Sequence, residues 1–125
     1  MPFTYSIDAE QRFVQVTAHG RITPEEAFGT FDEVAAHPDF GRNMRVLSDH
    51  RELETIVSVR FVKAFMGRIQ AYRNLFRGSK WAFVESGAVR YGMARMASIL
   101  SDPTVIELRA FRDVGEARVW LGVGE

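Results

Sequence analysis

Asp49, His50 and Arg51 stand next to one another, directly after the short apolar run Met44-Arg45-Val46-Leu47-Ser48. Such a run predicts a central strand that delivers the three residues to the carboxyl edge of a sheet, where open α/β domains present ligands. A carboxylate, an imidazole and a guanidinium gathered there could bind an anion or relay a proton. A plainer reading has Asp49 capping local backbone donors while His50 and Arg51 are solvated. Geometry separates the two, because an enzyme needs the three side chains converging in an enclosed pocket and a binding module leaves them splayed or capping.

Other chemistries find less support. There is no cysteine, which excludes disulfides, thiolate metal sites and cysteine nucleophiles. Apart from Asp49 beside His50, none of His19, His37 and His50 has a carboxylate or histidine at a recognised ligand spacing, so no metal site is expected. No Gly-x-Ser-x-Gly occurs, Gly78-Ser79-Lys80 lacks the upstream glycines of a phosphate loop, and no Gly-x-Gly-x-x-Gly follows a strand. No catalytic residue and no cofactor is therefore assigned, and a non-enzymatic module is favoured over an enzyme.

These residues need a scaffold, and 125 residues with 46% hydrophobic and 26% charged side chains suit one domain spanning 1–125. Phe3, Tyr5 and Ile7 alternate with polar neighbours, as do Val14, Val16 and Ala18, and the polar Asp8-Ala9-Glu10-Gln11-Arg12 lies between them, which predicts an opening antiparallel hairpin. Thr23-Pro24-Glu25-Glu26 is a capping box with proline at the first helical position. The helix it starts carries Ala27, Phe28, Phe31, Val34 and Ala35 on one stripe and closes at His37-Pro38. The strand over 44–49 follows, then a long helix over about 56–76, a strand over 80–85, a helix over 88–100, a strand over 105–111 and a helix over 114–123. The order ββαβαβαβα predicts an α/β fold with a mixed sheet, parallel after the hairpin.

The hairpin, the Gly-Arg-Ile-Thr-Pro-Glu-Glu helix start and the strand ending in Asp49-His50-Arg51 together resemble the SpoIIAA-like family, which is STAS-related. The resemblance covers nearly the whole chain. It implies a bacterial STAS-like domain acting as a binding or regulatory module, and comparison of some members with CRAL-TRIO domains adds a lipid-like ligand by analogy of fold. STAS anti-sigma-factor antagonists carry a phosphorylatable serine at the helix start after the central strand, in an Asp-Ser-Ser-Gly context. Ser58 is the nearest counterpart, but Val57 replaces the acid and no glycine follows. A phospho-switch at Ser58 or Thr55 is thus set against a reading in which Thr55 caps the helix and Ser58 is an ordinary helical residue.

The second helix has more apolar surface than one stripe needs. Val62, Phe65, Ile69, Tyr72 and Phe76 form a core-facing series, while Val57, Phe61 and Ala64 line an adjacent face and Met66 another. The surplus could meet the third helix, a second subunit or an apolar ligand. Charge is sorted as well, although the total is zero: residues 1–55 hold ten acids and five bases, 56–100 one acid (Glu85) and eight bases, and 101–125 five and three. Arg60, Lys63, Arg68, Arg73, Arg77, Lys80, Arg90 and Arg95 are expected to surround the apolar surface and to favour an anionic neighbour. The expected partners are a second copy forming a homodimer, a protein, or a lipid-like or anionic ligand, with Val57, Phe61, Arg60 and Lys63 in the contact. Nucleic acid ranks last, since no reading motif occurs. Neither a leader pattern at Met-Pro-Phe-Thr-Tyr-Ser nor a membrane-length apolar run is seen, so a cytoplasmic location is expected.

Overall fold

Alternation of apolar and polar residues in the first twenty positions produces β1 (Phe3–Asp8) and β2 (Phe13–Gly20), paired antiparallel with Phe3 opposite Ala18 and Ile7 opposite Val14. The computed structural model describes residues 2–124. The chain continues through α1 (Pro24–Ala36), β3 (Arg45–Leu53), α2 (Val59–Ala71), α3 (Arg73–Phe76), β4 (Ser79–Val84), α4 (Ala88–Leu100), β5 (Ile106–Phe111) and α5 (Val114–Leu121). The five strands lie in chain order, β1-β2-β3-β4-β5, and every pair after the first is parallel. This is the mixed α/β sheet expected from the element order, with the second helix in two pieces.

The sheet has two unequal faces, because side chains alternate along each strand. Val14, Val16, Val46, Trp81, Phe83 and Leu108 belong to the larger core with Phe31 and Val34 of α1, Ile69 of α2, Phe76 of α3 and Ala94 of α4. Leu47, Ala82, Val84 and Phe111 face the other way, against Ala117 and Leu121 of α5. Three main helices thus cover one face and a single helix the other. Among the described residues no helix is long and apolar enough to cross a membrane.

Capping sets the helix boundaries. Thr23 Oγ1 accepts from the Glu26 N–H at 3.1 Å while Glu26 Oε1 accepts from the Thr23 N–H at 2.9 Å, the reciprocal pair read from the sequence. The second helix starts later than expected, at Val59, because Ser58 and not Thr55 is its cap: Ser58 Oγ accepts from the Phe61 N–H at 3.1 Å. Thr55 Oγ1 instead accepts from the Ile22 N–H at 2.9 Å and ties the approach to α2 to the end of the hairpin. The β-branched run Thr55-Ile56-Val57 suits this extended path better than a helix. At Tyr72 the helix breaks, its N–H reaching both Arg68 and Ile69 carbonyls, and α3 carries Phe76 into the core.

The central strand also departs from expectation, running four residues beyond Asp49 to Leu53. Its pairing with β4 ends at Asp49 opposite Val84, but pairing with β2 continues to Leu53 opposite Gly20. Between Thr17 and His19 the register slips: two steps on β2 oppose three on β3, from Asp49 to Glu52. One extra residue reverses the parity of the strand beyond it. Leu53, at an odd position like the outward Leu47, consequently lines the same cavity as Val46, Ser48 and His50.

Candidate functional site

A cavity of about 140 Å³ lies between the larger sheet face and α1, α2 and α4. Its floor is Val16 of β2, then Val46, Ser48 and His50 of β3, then Trp81 and Phe83 of β4, with Glu85 just past the strand end. Its roof comes from Ala27 and Phe31 on α1, Phe61 and Phe65 on α2, and Met93, Ala94 and Ala97 on α4. Val57 closes it from the segment before α2. The rings form a continuous series: Phe28 stacks on Phe61 with centroids 5.1 Å apart, Phe65 meets Trp81 edge-on at 5.3 Å, and Trp81 stacks on Phe83 at 5.4 Å. Much of the surplus of the second helix is therefore spent on this cavity, through Val57 and Phe61.

Few polar groups interrupt the lining. Ser48 Oγ accepts the indole N–H of Trp81 at 2.8 Å, both residues being buried. His50 Nδ1 lies 2.7 Å from Glu85 Oε2, with side chains 19% and 8% exposed. The sheet register sets this pair: Asp49 is opposite Val84, which places His50 beside Glu85 at the carboxyl edge of two central strands. Glu85 is fixed in turn by its own N–H, which donates to the Phe111 carbonyl at 2.9 Å. At one side of the cavity Arg90 reaches from α4 to the Glu54 and Thr55 carbonyls and holds the segment before α2 in place.

Asp49, His50 and Arg51 are not brought together. Alternation sends His50 to the cavity and its two neighbours away from it, where Arg51 clasps Asp49 through two bonds, Nε to Oδ1 at 2.9 Å and a terminal nitrogen to Oδ2 at 2.8 Å. That hydrogen bonding holds the Asp49 carboxyl below its usual range, against an opposing effect of burial. Asp49 in return raises the Arg51 guanidinium, and the more distant Asp113 at the start of α5 adds to the shift. Asp49 also caps the Arg51 N–H at 3.1 Å, and Ser86 donates to the Arg51 carbonyl at 2.9 Å. The pair thus braces the sheet edge.

The other expected residues divide similarly. Arg60 and Lys63 are exposed on α2, and Ser58 is exposed at its cap, whereas Thr55 is half-buried and lines the cavity. Of the eight bases expected around the apolar surface, Lys80 is not there, because it lies over the Trp120 ring on the α5 face. Arg68 is engaged by Asp32 at 2.7 Å and lies over Phe28. Sequence reasoning missed Glu85 as a site residue. A signal for it existed, since it is the single acid between residues 56 and 100 and ends a buried strand.

The model of the SpoIIAA-like family matches residues 13–122. The chain belongs to the SpoIIAA-like family. Its fold is also that of a crystal structure from Shewanella loihica PV-4, described as an uncharacterized protein of the DUF3478 family with a SpoIIAA-like fold. That structure superposes on this SpoIIAA-like domain with a TM-score of 0.61 at 18% identity, over 95% of this chain and 93% of the other. No curated protein matches the chain.

Proposed function

We propose that this SpoIIAA-like domain is a non-enzymatic binding module that takes a small apolar molecule into the cavity between the sheet and α1, α2 and α4. The observation that carries this reading is the lining: aromatic and aliphatic side chains from β2, β3, β4 and three helices surround about 140 Å³ of space, with polar groups confined to a few positions. Cores of small domains are ordinarily packed to crystal-like density, so space of this size calls for an occupant. Apolar cavities of about 150 Å³ take up benzene-sized molecules. The separation of Asp49 and Arg51 from His50 also favours binding over a three-residue catalytic centre. The ligand sits on helices that begin at the carboxyl edge of the sheet, so its arrival can alter the surface around Arg60 and Lys63 that a protein partner would meet.

Trp81 lines the cavity and the chain's other tryptophan, Trp120, packs on the opposite face with Phe111. A Trp120→Phe variant therefore reports the cavity through Trp81 alone. Saturable change of its fluorescence on adding toluene, abolished when Ala94→Phe fills the space, is the expected result. A flat titration of a folded protein would overturn the reading.

A further inference from the structure

The cavity is almost wholly apolar, yet one titratable ring is built into its wall with its orientation fixed. His50 Nδ1 faces Glu85 Oε2 at 2.7 Å, and Glu85 is itself buried and anchored to β5 through its backbone. With Glu85 as a carboxylate and the ring neutral, the 2.7 Å contact assigns the ring proton to Nδ1 and leaves Nε2 as an acceptor. Among the described residues no hydrogen-bond partner reaches Nε2. The neighbouring rings, Trp81 stacked on Phe83 with Phe65 edge-on to both, offer an aromatic wall to a flat ligand, and the volume accommodates a single ring with a small substituent.

We infer that the cavity selects a one-ring compound bearing a hydroxyl, of the phenol class, whose ring lies among the aromatic side chains and whose O–H donates to His50 Nε2. The inference rests on the proposed binding function and adds to it the polar end of the ligand. Glu85 acts as a positioning residue: it fixes which nitrogen carries the proton and so which kind of group the ring can meet. The His50 side chain is 19% exposed, and a hydroxyl gains there a hydrogen bond to Nε2 that the same molecule lacking it cannot make, which gives the site its preference.

Toluene, p-cresol, 4-methylanisole and p-toluate differ by one substituent on the same ring and separate the possibilities by calorimetric titration. The expected order places p-cresol about tenfold tighter than toluene, which corresponds to about 1.4 kcal/mol, with 4-methylanisole and p-toluate no tighter than toluene. In His50→Phe the advantage of p-cresol disappears while toluene still binds. In Glu85→Gln it shrinks, because an amide can also donate to Nδ1 and turn Nε2 into a donor. Equal binding of toluene and p-cresol by the wild-type protein overturns this inference and leaves the apolar cavity standing. Tightest binding of p-toluate overturns it in favour of an anion site. Failure of all four to bind removes the binding function and the inference together.

Discussion

Trp81 donates its indole N–H to Ser48 Oγ across 2.8 Å in the cavity floor, on adjacent strands, with both residues buried. Ser48→Ala leaves a buried donor unsatisfied and is expected to cost about 1 to 3 kcal/mol. In a Trp81→Phe background the same change should cost much less, since no donor remains. Urea unfolding of the four proteins measures the coupling. Equal costs in both backgrounds would mean that the bond contributes nothing.

Phe31 stands at the centre of the larger core, its ring within 6.0 Å of those of Phe65, Tyr72, Phe76 and Trp81. Phe31→Ala should destabilise by about 3 to 5 kcal/mol, and Val46→Ala, on the sheet side of the same layer, by about 1 to 3 kcal/mol. An unchanged urea midpoint for either would contradict the packing of α1 on the sheet.

Local chemistry made most of the fold legible. The capping box at Thr23 and Glu26 and the alternation of Val14, Val16 and Ala18 are decided by neighbours a few residues apart, and the structure contains both. The site was only half visible. Val57 and Phe61 stood out as surplus apolar residues, but whether that surface meets solvent or an internal space depends on how α1 and α4 close over it. Glu85 and His50 are 35 residues apart and meet through strand register, which one sequence does not specify. The slip in β3 that turns Leu53 inward has no glycine or proline to announce it.

Ser58 takes the capping role expected of Thr55, which itself lies before the helix and holds the Ile22 N–H, and mutation can tell the two apart. Ser58→Ala removes the cap of α2 and should cost about 1 kcal/mol. Thr55→Ala removes the acceptor for the Ile22 N–H and should loosen the segment before α2, read as faster hydrogen exchange at Ile22 with a smaller change in the urea midpoint. The reverse pattern would return the cap to Thr55.

The clasp between Asp49 and Arg51 has a pH signature. The Asp49 carboxyl is lowered in the folded state, chiefly by hydrogen bonding from Arg51, so the folded protein binds that proton less readily than the unfolded chain. Its stabilising contribution is complete above the ordinary carboxylate value of about 3.9 and is lost as pH falls through the lower folded value. Asp49→Asn should therefore unfold more readily than wild type at neutral pH, with the difference narrowing below about pH 4. A difference that stays constant from pH 7 to pH 2 would show that the carboxylate charge is not what stabilises the edge.

Phe61 is the position where a cavity and a subunit interface make opposite demands. Its ring stacks on Phe28 at 5.1 Å and on Phe65 at 6.3 Å and lines the cavity, yet it remains half-buried at the start of α2. An acid placed there sets a charge beside the ligand space, where desolvation is expensive. If the cavity is the functional feature, Phe61→Glu weakens toluene binding at least about tenfold, or about 1.4 kcal/mol, and leaves the sedimentation coefficient unchanged. If Val57 and Phe61 instead form the centre of a homodimer, wild-type protein sediments as a dimer at micromolar concentration and the variant as a folded monomer. Arg60→Glu with Lys63→Glu completes the test, because these exposed bases would pair with the acidic first third of a second copy but do not line the cavity. Their reversal should leave toluene affinity untouched and would break a charge-steered dimer. Loss of toluene binding in that double variant would mean that the exposed face of α2, rather than the cavity between the helices and the sheet, is where the ligand sits.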